Sequence, residues 1–157
     1  MVKFKKCSLC KEVKESIHFH KKSDSKDGLH PYCKECSKIK VKERIERDPY
    51  TYRLNVMAST ILKRLKYCHN EKYKHLKCYK DNNVKCFLGT TRQEVAETLH
   101  KYFEKDIKKL MSEGKTPSVD RIDPTGNYEI GNIRIIDYIE NGRQGFINAN
   151  NKRKKPV

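Results

Sequence analysis

Residues 117–145 of the chain, PSVDRIDPTGNYEIGNIRIIDYIENGRQG, decide the fold that we expect for its C-terminal part. Residues 118–122 and 132–136 read as short strands. The turn-forming run at residues 123–127 separates them. Asp137 is a good N-cap for a helix that follows the second strand at once. Such a strand–loop–strand–helix unit is too small to fold alone, so we expect it to pack against the helices that precede it.

The region before this unit is predicted to be mostly helical. A charged helix is expected over residues 39–47, and a second helix over about residues 50–67, where apolar side chains recur on one side. A third helix is predicted to begin at Thr91, because Thr91 and Glu94 have the spacing of a capping box. Gly114 is a plausible stop for that helix.

Two pairs of cysteines near the N-terminus have the spacing of a metal site. Cys7 and Cys10 form one CxxC pair, Cys33 and Cys36 form another, and 22 residues separate the pairs. Zinc prefers four thiolate or imidazole ligands in a tetrahedron, and each CxxC turn supplies two. The sequence therefore predicts a closed, structural zinc site. Three histidines between the pairs are alternative ligands or ordinary loop residues: His18, His20 and His30.

A second group of cysteines and histidines is spaced more loosely. It comprises Cys68, His69, His75, Cys78 and Cys86. These intervals match no compact zinc motif, so free thiols and surface histidines are favoured over a second metal site.

The composition is poor in apolar residues and strongly basic. Hydrophobic residues make up 36% of the chain, and 36 Lys and Arg face 20 Asp and Glu, for a formal net charge of +16. A chain with so few residues for a hydrophobic core needs an additional stabilising cross-link, and inside cells this is usually a bound metal ion. The positive charge favours polyanions, of which nucleic acid is the commonest.

Membrane association and export are not expected. The N-terminus lacks the apolar region of a signal peptide, and no long apolar or bulky amphipathic stretch is present. Seven cysteines in a reducing compartment are better explained as metal ligands or free thiols than as disulfides. A cytoplasmic protein is therefore predicted.

The N-terminal segment resembles the zinc ribbon that is common in phage HNH endonucleases. The resemblance covers residues 4–40 and includes Phe19 before a Lys-rich loop, Asp27-Gly28-Leu29 and Tyr32-Cys33. It implies zinc and DNA association, and, if the chain is encoded by a phage, a location in the cytoplasm of the bacterial host.

The C-terminal unit resembles the ββα-metal finger of HNH nucleases. In that family an Asp-His pair ends the first strand, an Asn opens the second strand, and a His or Asn follows nine positions later on the helix. Asp120, Asn132 and Asn141 stand at these positions here. The resemblance implies that Asp120 and Asn141 bind Mg²⁺ or Mn²⁺ through oxygen, and that Asn132 holds the loop or orients the base.

One position departs from the family pattern. Arg121 stands where the general-base His is usual, and arginine stays protonated and cannot readily accept a proton. Asp123 is the first choice for a base. His100 from the preceding helix and a hydroxide formed on the metal are alternatives. A further possibility is a site that binds DNA without cutting it.

Several basic residues are predicted to contact DNA phosphates. Arg121, Arg134 and Arg143 lie within the finger, where a planar guanidinium suits bidentate contact. The tail carries a basic run that is either a phosphate contact or a solvated segment: Lys152, Arg153, Lys154 and Lys155.

The predicted fold class is α+β. Residues 1–40 form the zinc-binding segment, 41–113 a helical linker or DNA-binding region, 114–147 the HNH-like finger and 148–157 a basic disordered tail. The leading functional prediction is a metal-dependent endonuclease that acts on double-stranded DNA. A homodimer is compatible with this prediction. A catalytically inactive zinc-containing DNA-binding regulator is the main alternative, and an RNA-binding or protein-interaction zinc module is a third.

Overall fold

The computed structural model describes residues 3–143 and divides the chain into two units, Met1–Pro49 and Tyr50–Val157. Within the described residues the secondary structure consists of helices and three separate antiparallel strand pairs. The prediction of an α+β fold is confirmed at this level. The tail and its run Lys152–Lys155 lie outside the described residues.

The first unit is built from two small hairpins and a helix. Strands β1 (Phe4–Lys6) and β2 (Val13–Glu15) pair with each other, as do β3 (Phe19–Lys21) and β4 (Leu29–Cys33). A 3₁₀ turn at Ser16–His18 joins the hairpins. Helix α1 (Lys34–Arg47) follows β4 directly, so it begins earlier than predicted.

The core of the first unit is very small. Its buried hydrophobic residues are Cys7, Phe19, Cys33 and Cys36. Three of these four are cysteines, and such a cluster supplies little hydrophobic stabilisation compared with a core of large aliphatic side chains. The first unit therefore needs another source of stability.

Up to residue 143, the second unit contains three α-helices, a 3₁₀ segment, one hairpin and a helical stretch after the hairpin. In chain order they are α2 (Pro49–Tyr67), a 3₁₀ segment (Glu71–Leu76), α3 (Lys77–Asp81), α4 (Arg92–Ser112), β5 (Pro117–Arg121), β6 (Ile133–Asp137) and α5, the helical residues 138–143. The Asp137 carboxylate, which the sequence predicts as the cap of α5, accepts the N–H of Thr116 at 3.0 Å.

One hydrophobic core joins the helices of the second unit to the hairpin. It includes Leu54, Met57 and Ile61 of α2, Val95, Leu99 and Ile107 of α4, and Val119, Tyr128 and Ile133 of the hairpin and its loop. The apolar stripe predicted for α2 thus contributes buried residues, and the strand pair packs against the helices as expected. Helix α4 departs from helical geometry at Phe103 (φ −129°, ψ 15°).

The start of α4 is held by the predicted capping box. The Thr91 hydroxyl accepts the N–H of Glu94 at 3.2 Å, and the Glu94 carboxylate accepts the N–H groups of Thr90 at 2.8 Å and Thr91 at 3.3 Å. These donors lower the pKa of Glu94, Thr90 contributing most. Gly114 follows the helix with φ +70°, as its predicted role as a stop requires.

Gly89 permits the close approach of the preceding loop to α4. Its φ is +146°, and an added Cβ would lie 2.6 Å from Cβ of Glu94 and 2.9 Å from the backbone N of Val95. A side chain at this position would therefore clash with the first turn of the helix and strain the backbone.

We expect Gly89→Ala to lower the free energy of unfolding by about 1–3 kcal/mol, the range typical of strained backbone positions. Urea denaturation followed by circular dichroism measures the change. Gly142→Ala is the matched control, because an added Cβ at Gly142 meets nothing within 4 Å. Equal stabilities of the two variants would contradict the proposed clash.

None of the helices within residues 3–143 combines the length and the apolar content that crossing a membrane requires.

Candidate functional site

The four N-terminal cysteines come together at one point of the first unit. The sulfur atoms of Cys7, Cys10, Cys33 and Cys36 all lie within 4.8 Å of one another. A tetrahedral zinc with bonds of about 2.3 Å would place its sulfurs about 3.8 Å apart. The four cysteines can therefore hold a metal such as zinc if the distances between their sulfur atoms shorten slightly.

Backbone donors favour the thiolate form of Cys7. Its sulfur accepts the N–H groups of Leu9 at 3.4 Å and Cys33 at 3.3 Å. Burial raises the pKa of Cys7, but the N–H groups of Cys33, Cys10 and Leu9 together outweigh burial and lower it to about 6. Cys7 is thus prepared as a metal ligand, since metals bind the deprotonated sulfur.

The histidines between the pairs do not belong to the sulfur group. His30 is occupied locally, because its Nδ1 lies 3.1 Å from the backbone N of Tyr32. In the second unit, Cys68 donates to the carbonyl of Leu65 at 3.0 Å, and burial raises the pKa of Cys86. Among residues 3–143, no second group of three His, Cys, Asp or Glu ligand atoms gathers as closely as the four thiols.

We expect the purified protein to contain one metal ion per chain and Cys36→Ser to lose it, because three thiolates leave the tetrahedron incomplete. Elemental analysis by plasma mass spectrometry measures the content. Cys78→Ser, a cysteine outside the group, should retain the metal. Unchanged metal content in Cys36→Ser would contradict the site, and loss of metal from Cys78→Ser would indicate a second one.

Asp120 lies on β5 directly opposite Arg134 of β6. Its Oδ2 accepts hydrogen bonds from Nε of Arg134 at 2.9 Å and from Nη2 at 2.8 Å, and the side chain is 17% exposed. Among the described residues, Oδ1 of Asp120 makes no hydrogen bond. The carboxylate is therefore fixed in orientation by one oxygen and retains the other for a further ligand.

Asn141 connects α5 to β5. Its Nδ2 donates to Oγ of Ser118 at 2.9 Å and to the carbonyl of Val119 at 3.0 Å. A carbonyl only accepts, so this contact fixes which end of the amide faces the strand. Ser118 and Asp120 are two residues apart on β5 and point to the same face. Asn141 is thus anchored to the face that carries Asp120, with its carbonyl oxygen turned away from these two contacts.

Asn132 holds the loop between the strands. Its Oδ1 accepts the N–H of Asp123 at 2.8 Å, and its Nδ2 donates to the carbonyls of Asn127 at 2.8 Å and Asp123 at 3.2 Å. Gly126 leaves room for this amide, since a Cβ at Gly126 would lie 2.6 Å from Nδ2 of Asn132. The Asn132 side chain therefore holds the loop at two residues, Asp123 and Asn127, through three hydrogen bonds.

Asp123, the predicted general base, is stabilised as an anion. Its Oδ1 accepts the hydroxyl of Thr125 at 2.7 Å and the N–H of Thr125 at 2.9 Å. These bonds lower the pKa of Asp123. A carboxylate with a lowered pKa is ionised at neutral pH but is a weak proton acceptor.

Arg121 points to the opposite face from Asp120 and is buried, with 9% exposure. The central carbon of its guanidinium lies 4.3 Å from the ring centre of Tyr79 and 5.1 Å from that of Tyr128. Nη1 donates to the carbonyl of Gly126 at 2.8 Å. The sequence predicted a phosphate contact and a catalytic role for Arg121, whereas the structure places its side chain under the loop, which it supports from inside.

The remaining predicted residues are placed as follows. His100 lies 2.9 Å from the hydroxyl of Tyr50 and lines a groove whose residues come from α2 and α4. Arg134 is 49% exposed, and Arg143 is exposed at the end of the described chain. The structure thus pairs Asp120 with Arg134 and bonds Asn141 to Ser118, two residues before Asp120 on the same strand, whereas His100 lines a groove between α2 and α4.

Ser118 is a site residue that sequence reasoning missed. It links the helix to the strand by accepting Nδ2 of Asn141. Its only signal in the sequence is its position two residues before Asp120, which places both on one face of a strand.

Comparisons of the chain with protein-family models, with curated proteins and with solved structures found no match. The function proposed below therefore depends on the geometry of the chain's own side chains.

We expect Arg121→Met to lower the free energy of unfolding by about 1–3 kcal/mol, because it removes a buried cation–π stack and leaves the Gly126 carbonyl without its donor. Urea denaturation measures the loss. Arg134→Met removes an arginine that is half exposed and should cost less. A larger loss in Arg134→Met would contradict the structural role of Arg121.

Proposed function

We propose that the protein is a metal-dependent DNA endonuclease. The four N-terminal thiolates hold a structural zinc, and the outer face of the β5–β6 hairpin holds one Mg²⁺ or Mn²⁺ beside a phosphodiester. The observation that carries the proposal is the anchoring of Asp120 and Asn141 to one face, each with a side-chain oxygen that makes no hydrogen bond within residues 3–143.

The zinc assignment rests on the chemistry of the four sulfur atoms. Thiolates are soft ligands that favour zinc over magnesium or calcium. A complete set of four leaves no open position for a substrate, so this metal is structural. It compensates for the small core of the first unit, which contains one aromatic residue and three of the ligands themselves.

The donor set on the hairpin fits a hard divalent cation. A carboxylate oxygen of Asp120 and an amide oxygen of Asn141 are the oxygen ligands that Mg²⁺ and Mn²⁺ prefer, and water and phosphate oxygens would supply the remaining ligands. Arg134 holds Asp120 in place without using its Oδ1. When bound, the ion offsets charge on the phosphate and on the leaving oxygen.

The chain's own residues at this site position the phosphate, the loop and the attacking water, and those within residues 3–143 do not include a strong base. Arg134 is half exposed next to Asp120, and its remaining donors are suited to a phosphate oxygen. Asn132 and Arg121 hold the loop that carries Asp123. Asp123 is anionic near neutral pH, so it orients an attacking water by accepting a hydrogen bond. The net charge of +16 attracts the DNA.

The alternative is a regulator that binds DNA without cutting it. Two observations favour it: Asp120 is already paired with a cation, and the His100 ring is engaged by Tyr50 on another surface. This alternative predicts salt-sensitive binding and no cleavage with any divalent ion.

We expect the zinc-loaded protein to nick or cut plasmid DNA when Mg²⁺ or Mn²⁺ is added. Asp120→Asn and Asn141→Ala should each lower the cleavage rate by about 10²-fold or more, because the first removes the anionic ligand and the second the amide ligand of the metal ion that offsets charge in the transition state. Gel electrophoresis of supercoiled plasmid over time measures the rate. Asp106→Asn, an exposed acidic residue of α4, is the control and should cleave normally.

Site variants are preferable to a chelator here, because a chelator also removes the zinc. Asp123→Asn tests the base directly. A large loss of rate would assign proton transfer or water orientation to Asp123, and a small loss would exclude both roles. Normal cleavage by Asp120→Asn and Asn141→Ala together would reject the proposed site, and binding without cleavage by the wild type would favour the regulator.

A further inference from the structure

A cavity of about 210 Å³ lies between α2 and the β5–β6 hairpin. About 10–15 Å³ of such volume is enough for one water molecule, so the cavity has room for a group considerably larger than water. Thr60 and Tyr138 at its edge are exposed, so it opens to solvent. All its lining residues belong to the second unit: Arg53, Val56, Met57, Thr60, Ile61, Arg64, Thr116, Ser118, Val119 and Tyr138.

Two arginines of α2 line this cavity. Arg53, Thr60 and Arg64 are seven and four residues apart, which places them along one side of the helix. Arg53 donates from Nε to the carbonyl of Pro117 at 2.6 Å and also from Nη2 to the same oxygen. Arg64 donates to the hydroxyl of Tyr128 at 3.4 Å. These contacts orient both guanidinium groups toward the hairpin.

In the part of the chain that the structure describes, no ion pair neutralises the charges of these two arginines. Within residues 3–143, no carboxylate lies at ion-pair distance from Arg53 or Arg64, and both of their hydrogen-bond acceptors are uncharged. Two partly buried cations at one cavity raise its positive potential. An anion in the cavity would offset that potential and use the guanidinium donors that remain.

The cavity shares a residue with the proposed cleavage site. Ser118 lines the cavity, and its hydroxyl accepts Nδ2 of Asn141. Thr116 and Thr60 add two further hydroxyl groups to the lining. Ser118 therefore borders both the cavity and the contact that anchors Asn141.

We propose that this cavity is a phosphate subsite for the DNA strand, in which Arg53 and Arg64 bind a backbone phosphate next to the one at Asp120 and Asn141. This inference rests on the proposed function, because it extends the same strand. Helix α2 would then align the DNA through two phosphate contacts that lie outside residues 114–147.

Binding of a fluorescein-labelled DNA duplex to the zinc-loaded protein tests the subsite. Anisotropy is measured over a series of KCl concentrations without added Mg²⁺, so that no cleavage occurs. We expect Arg53→Gln and Arg64→Gln each to reduce the slope of log K against log salt by about 1, the value for one lost phosphate contact. Lys63→Gln, an exposed lysine of the same helix, should leave the slope unchanged.

A second pair of variants avoids the structural contacts of the arginines. Thr60→Glu puts one negative charge at the edge of the cavity, whereas Lys63→Glu changes the charge by two units away from it. We expect Thr60→Glu to weaken binding more than Lys63→Glu. The opposite order, or unchanged slopes in both arginine variants, would overturn the subsite.

The outcome is separable from that of the cleavage assay. Altered slopes in a protein that never cleaves would retain the subsite and reject the nuclease. Cleavage with unchanged slopes would retain the nuclease and reject the subsite.

Discussion

The antiparallel register of β5 and β6 is the constraint on which the second unit depends. It sets Asp120 opposite Arg134 and Arg121 opposite Ile133. Because side chains alternate along a strand, neighbours in sequence separate onto two faces. Asp120 reaches the outer face and Arg121 enters the core. A shift of the register by one residue would exchange the two faces, burying a carboxylate and exposing the core side chains.

The two units compensate for the low content of apolar residues by different sources of stability. The second unit gathers side chains from α2, α4 and the hairpin into one cluster. Within residues 3–49, the first unit has four buried hydrophobic residues, three of them cysteines. In such a unit, the free energy of metal binding becomes free energy of folding. The proposed zinc would therefore act as the centre of the core as much as a cofactor.

The sequence predicted the elements well where a local signal was strong. The capping box at Thr91, the CxxC spacing and the strand–loop–strand pattern need only neighbouring residues to be recognised. The environment of Arg121 could not be predicted, because it depends on Tyr79 and Tyr128, which are distant in sequence and adjacent in space. The pairing of Asp120 with Arg134 likewise requires the exact register, which pattern alone does not specify.

The loop between β5 and β6 is fastened on several sides. Asn132 bonds to Asp123 and Asn127, Arg121 bonds to Gly126, and Tyr128 is buried. A segment with so many internal bonds has already given up most of its conformational freedom when the protein folds. A ligand that docks beside it would meet a preorganised surface and lose little free energy to ordering it. The entropic cost of recognition would then fall mainly on the ligand.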